Sequence, residues 1–173
     1  MRQDFAKAKP FRLKALSKEL IEEAALNNDK LKALMALIAY SLYKLCSKAH
    51  VLESPKWKFA REQILQHLDK GIVELRAKKF KEFELELQKA VEDISKIDSE
   101  ISNYAVAVFE KAKTKLASTA YSFGLSLGQA AALTGAGKKD LLNYIGFTKM
   151  HDEAGVSLGI SERLKKLKEV LAT

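Results

Sequence analysis

Cysteine is almost missing from this 173-residue chain: Cys46 stands alone. No internal disulfide can form, and a single thiol fits a reducing, cytoplasmic setting. Proline occurs only at Pro10 and Pro55, and Gly71 is the sole glycine before Gly124. So few breakers favour long helices over the first two thirds. No apolar run approaches the ~18 residues a bilayer span requires, and the N-terminal stretch is charged throughout. That excludes a membrane partner and a signal peptide. Strand-like alternation is absent too, and with it a glycine-rich phosphate loop set between strand and helix. Only three histidines occur, His50, His67 and His151. None is spaced with another His or Cys as a metal pair requires, so the expectation is no metal and no cofactor.

What is present is charge, unevenly spread. The net charge is +8, and residues 1–79 carry 17 Lys/Arg against 9 Asp/Glu. Residues 80–123 carry 6 against 8, and residues 124–173 carry 7 against 5. The basic excess therefore lies in the first third, and it suits nucleic acid, an acidic partner or simple solubility.

With 47% hydrophobic residues, the chain can bury a core, and helical periodicity says where. Over 11–28, Leu13, Leu16, Leu20 and Ala24 share one face, and Asn27–Asn28 end the helix. A second helix over 29–52 opens on Asp29 as N-cap and is apolar around most of its circumference. That marks it as a central helix. Cys46 lies in it as a packing residue. A third, over 54–79, starts on Ser54 and Pro55 and buries Trp57, Ile64, Leu68, Ile72 and Leu75, with Gly71 bending it. The segment 80–123 spaces Leu87, Ala90, Ile94, Ile97, Ile101, Tyr104 and Val108 as a heptad seam. It serves either a neighbouring helix of the same chain or a second copy, with a break near Asp98–Ser99. The fold class expected is all-α: a helical bundle of about four helices over 1–123. A second unit over 124–173 adds two short helices and a terminal amphipathic helix along Ile160, Leu164, Leu167 and Leu171.

The texture changes after Gly124. Ser126 and Gln129 form an S-x-x-Q capping box, and Ala130, Ala131 and Ala132 keep the first short helix slim. Gly135 supplies a left-handed turn, and Leu141, Tyr144 and Ile145 face inward from the second helix. This is the local demand of two helices crossing at a steep angle. The stretch "SLGQAAALTGAGKKDLLNYIG" resembles the helix-turn-helix of small prokaryotic antitoxin-like proteins, which often read S-L-G-x-A-A-x-L-x-G. The likeness covers about 25 residues. It implies that the second helix enters a major groove with its N-terminus leading. Lys138 and Lys139 would then reach phosphate or guanine edges, Asn143 would pair with adenine, and Thr148 and Lys149 would hold the backbone. It further implies double-stranded DNA as partner, a homodimer, and a non-enzymatic role in regulation. The same pattern also fits a hairpin that only packs.

Two further readings stand beside it. The stretch "LIAYSLYKLCSKAHVL" resembles the central helix of HEPN domains, some of which are RNases with an Arg-x4-6-His motif. That resemblance implies Arg61 on a phosphate and His67 on a ribose hydroxyl. Six residues turn about 600°, however, which leaves the two side chains on different faces of a helix. A basic surface near Lys7, Lys9, Arg12, Lys14 and Lys18 would instead suit an acidic protein partner.

Overall fold

A computed structural model describes residues 1–101 and 108–147, and every regular element among them is a helix. In chain order these are α1 Arg2–Ala6, α2 Pro10–Asn27, α3 Lys30–Cys46, α4 Ala49–Leu52, α5 Pro55–Arg76, α6 Phe80–Ile101, α7 Val108–Ser122, α8 Leu127–Thr134 and α9 Lys138–Phe147. None of these helices is long and apolar enough to cross a membrane. The expected terminal helix, with Leu164 and Leu171, lies outside the described residues, as does His151.

Two residues make the α2–α3 hairpin. Asn28 adopts a left-handed φ of 50°, which closes α2, and Asp29 then caps α3. The Asp29 carboxylate accepts from the amides of Leu31 at 2.9 Å and Lys32 at 3.0 Å, satisfying two donors that a helix start leaves open. Leu13, Ser17, Ile21 and Ala24 form the buried line of α2. Ser17 donates to the Ala36 carbonyl at 2.9 Å, so the one polar residue on that line is paired where α2 meets α3.

α3 ends earlier than its apolar pattern predicts, at Cys46 rather than at residue 52. Ser47 donates back to the Tyr43 carbonyl at 2.7 Å, and Lys48 is extended. The chain turns there, and α4 delivers Val51, fully buried, into the core. α1 was not legible in the sequence either. It forms because Phe5, fully buried, meets the edge of Trp57 at 6.1 Å between centroids. Arg2 adds a two-point ion pair to Asp69 at 2.8 and 2.9 Å.

Pro55 occupies the first turn of α5, while Ser54 makes no side-chain cap. The helix runs through Gly71 without ending. Gly71 is buried on the α6 side, where an added Cβ would sit 3.3 Å from the Phe83 ring. Leu75, expected inside, is 41% exposed. It occupies the last turn before the α5–α6 connection and belongs to neither buried cluster. Of the seam over 80–123, Leu87, Ala90, Ile94, Ile97 and Val108 are buried within the chain itself. The side chains of Ile101 and Tyr104 lie outside the described residues.

The core has two parts. Phe5, Leu13, Ile38, Leu42, Leu45, Trp57, Ile64, Phe83, Leu87 and Ile94 build one. Ile21, Ala33, Ala36, Phe109, Leu116, Ala130, Ala131, Leu133 and Leu141 build the other, which joins α8 and α9 to α2, α3 and α7. Cys46 is half-buried beside the first part, and burial, only partly offset by the Arg61 charge, pushes its thiol up to about 11. It rests as a packing thiol.

The Gly71–Phe83 contact generates a stability prediction. Gly71→Leu should cost about 1–3 kcal/mol by overpacking, read from the urea midpoint. Val73→Ala, at a position 61% exposed, should stay within about 0.5 kcal/mol.

Candidate functional site

α8 is fastened at both ends. The Ser126 hydroxyl accepts from the Gln129 amide at 3.2 Å, and the Gln129 side chain accepts from the Ser126 amide at 2.9 Å. This is the reciprocal capping box its sequence predicts. At the far end Gly135 takes φ 71°, a left-handed conformation that costs any residue with a Cβ about 1–2 kcal/mol. Ala130 and Ala131 are buried beneath α8, and their small side chains permit close approach to α7.

α9 follows after three residues, Gly135, Ala136 and Gly137. Leu141 is fully buried, and Tyr144 and Ile145 are half-buried. Lys138, Lys139, Leu142 and Asn143 are all exposed, with Leu142 59% accessible. The Asp140 carboxylate folds back over Gly137, so closely that a Cβ there would collide with it. Three of the predicted contact residues thus stand on the accessible part of one helix. The other two, Thr148 and Lys149, lie outside the described residues.

Beside α9 opens a cleft of about 950 Å³ between α3, α4 and α7. Asn143 and Tyr144 line it from α9, Tyr40 and Lys44 from α3, and Lys111 and Lys115 from α7. Lys48 and His50 add to the same wall. The rings and ammonium groups are neighbours: the Lys44 ammonium is 5.5 Å from the Tyr40 centroid, and that of Lys115 is 5.8 Å from Tyr144. Glu110 also lines the cleft, but it pairs with Lys113 at 2.7 Å. Burial, followed by the nearby Tyr144 and Tyr43, pushes the Tyr40 hydroxyl up to about 12, so it stays neutral. Nothing in their spacing along the chain connects Lys44 and Lys48 with Lys111 and Lys115. Their local signal is one i,i+4 pair on α7, Lys111 with Lys115; Lys48 lies past the end of α3, in the extended link to α4.

Arg61 and His67 are not brought together. Arg61 donates to the Ala6 carbonyl at 2.7 Å and lies 5.9 Å from the Phe5 ring. His67 turns to α6, where its Nδ1 is 2.7 Å from Glu86 and its Nε2 is 3.5 Å from Asp93. Lys89 approaches Glu86 at 2.6 Å. The Asp93 Oδ2 that faces the ring is buried and makes no hydrogen bond of its own. Burial raises the Glu86 carboxyl, but the hydrogen bonds from His67 and Lys89 outweigh it and hold the group below its ordinary value. No group of three His, Cys, Asp or Glu among the described residues is arranged to hold a metal ion.

No family model, curated protein or solved structure matches this chain significantly.

The Glu86 arrangement sets a pH dependence. A carboxyl held below its ordinary value of 4.5 stabilises the fold above that pH and loses this contribution as the pH falls beneath it. Glu86→Gln should therefore lower the urea midpoint at neutral pH. The gap to the wild type should narrow as the titration is repeated well below pH 4.5.

Proposed function

We propose that this chain binds duplex DNA through a helix-turn-helix formed by α8 and α9, carried on a bundle whose long helices are α2, α3, α5 and α6. The observation that carries the reading is the division of α9. Leu141 is locked in the core, while Lys138, Lys139, Leu142 and Asn143 remain accessible on a helix whose first residues are cationic. In such a motif the N-terminal part of the second helix meets base edges. Asn143 supplies the paired donor and acceptor that adenine needs, and Leu142 beside it suits a thymine methyl. The exposed lysines neutralise phosphate, and Lys44, Lys48, Lys111 and Lys115 extend positive charge along the neighbouring cleft. The role is that of a transcription regulator or antitoxin-like component, acting as a homodimer on a two-fold site. Thr148 and Lys149 would then follow α9 along the backbone.

A HEPN-like protein acting on RNA is the second reading. It requires Arg61 and His67 to address one substrate. Arg61 is committed to α1 and His67 to α6, so nothing in their geometry raises this reading above the first.

Duplex binding by the full chain separates the outcomes. Replacing Lys138 and Lys139 together by Ala should weaken binding and flatten the salt dependence by up to about two units of log–log slope. Asn143→Ala should relax base preference by about 1–3 kcal/mol with the slope nearly kept. Ala131→Leu should destabilise the motif by about 1–3 kcal/mol, because that position is buried. Unchanged affinity in the double Lys variant would reduce α8 and α9 to a hairpin that packs without reading DNA.

A further inference from the structure

We propose that the outward face of α2 pairs with the same face of a second copy, antiparallel, about a two-fold axis between Lys18 and Glu19. The inference rests on the homodimer reading above and deepens it by naming the surface; it is independent of DNA binding.

α2 buries Leu13, Ser17, Ile21 and Ala24. A helical turn of about 100° per residue puts Phe11, Ala15, Lys18, Glu22 and Leu26 on the opposite side, and all five are exposed. Phe11 is 80% exposed and Leu26 56%, one at each end of this face. A lone exposed side chain of that kind is ordinary; here two share one face, with charge between them. The charge is segregated. Arg12, Lys14 and Lys18 fall in the N-terminal part, Glu19, Glu22 and Glu23 in the C-terminal part. The first turn holds no acidic residue and the last no basic one, the reverse of what the helix dipole favours, so this order does not stabilise α2 itself. Some of these charges are used within the chain. Arg12 lies 3.8 Å from Asp4, Lys14 stands over the Tyr43 ring, and Glu23 holds Lys32 at 2.9 Å. Lys18, Glu19 and Glu22 are left with no ion pair among the described residues. A uniformly acidic or basic partner would satisfy one half of the face and repel the other. The same face turned end for end satisfies both, as an isologous contact requires. With the axis between residues 18 and 19, Lys18 meets Glu19 of the second copy, Ala15 meets Glu22, and Phe11 meets Leu26, each twice. Exposed ion pairs add little affinity, so the apolar ends drive this pairing while the charges set its direction.

Cross-linking of the full chain reads the register. In a Cys46→Ser background, Phe11→Cys and Leu26→Cys chains are mixed and oxidised. The mixture should give a disulfide-linked dimer, with at least about tenfold less from either variant alone. In the antiparallel pair the two copies of residue 11 lie about 22 Å apart along the helices, as do the two copies of residue 26, too far for a disulfide. Sedimentation equilibrium supplies a second measurement. Lys18→Glu should weaken dimerisation by about tenfold or more, and adding Glu19→Lys should restore it. Both positions are exposed, so the melting temperature at low concentration should stay at the wild-type value in each variant. Lys138→Ala with Lys139→Ala should leave the dimer intact, so the DNA reading and this one fail separately. A wild-type monomer would overturn both the surface and the homodimer, leaving the face to a different partner. A dimer indifferent to Lys18→Glu, or cross-linked as well by one variant as by the mixture, would keep the homodimer and place its interface elsewhere.

Discussion

Along α3, Ala33, Ala36 and Leu37 face one apolar cluster while Ile38, Leu42 and Leu45 face the other. A helix buried on both sides must meet different neighbours with different side-chain sizes. On the alanine side α2 comes close enough for Ser17 to reach the Ala36 carbonyl, and α7 and α8 pack over the same small residues. On the leucine side the gap is filled by Phe5, Trp57 and Phe83 from α1, α5 and α6. Moving the helix by one residue would exchange small for large along both seams, and interiors packed like molecular crystals do not tolerate that. Ser41, buried with its hydroxyl unpaired, is the one polar atom on α3 with no visible compensation. Such a group costs about 1–3 kcal/mol, which the surrounding apolar contacts must offset.

What could be read in the sequence follows from the range of the interactions involved. The capping box at Ser126, the left-handed Gly135 and the Asp29 cap are settled within four residues, and each appears as its motif predicts. The end of α3 at Cys46 was hidden, because Lys48 and Ala49 differ little in helix preference from what precedes them. The break depends on Val51 finding the core. Leu75 shows the converse. It lies on the same face as Leu68 and Gly71, yet periodicity says nothing about whether a partner helix extends that far. α1 depends on contacts with α5 more than fifty residues away, the Phe5–Trp57 ring contact, the Arg2–Asp69 ion pair and the Arg61–Ala6 hydrogen bond.

The candidate site divides in the same way. Lys138, Lys139 and Asn143 were legible because they follow a local motif. Lys44, Lys48, Lys111 and Lys115 were not, since only the packing of α3 against α7 sets them on one cleft. Arg61 and His67 illustrate a spacing that the fold puts to other use. Each is a tie between α5 and a neighbour, one to α1 and one to α6.

This packing also resolves a difficulty in the charge distribution. The segment over 124–173 carries only a small basic excess, thin for the phosphate binding proposed for it, while most of the positive charge lies before residue 80. Charge acts through distance and not through sequence, and at physiological ionic strength its reach is about 8 Å. α3 ends beside α9, so Lys44 and Lys48 from the basic first third line the same cleft as Asn143 and Tyr144. α7 adds Lys111 and Lys115 from a segment whose overall balance is acidic. Its acidic residues are used elsewhere: Glu86 on His67 and Lys89, Asp93 beside His67, and Glu110 on Lys113. A chain modestly basic on average thereby places four lysines along the cleft beside α9, whose own exposed residues include Lys138, Lys139 and Asn143.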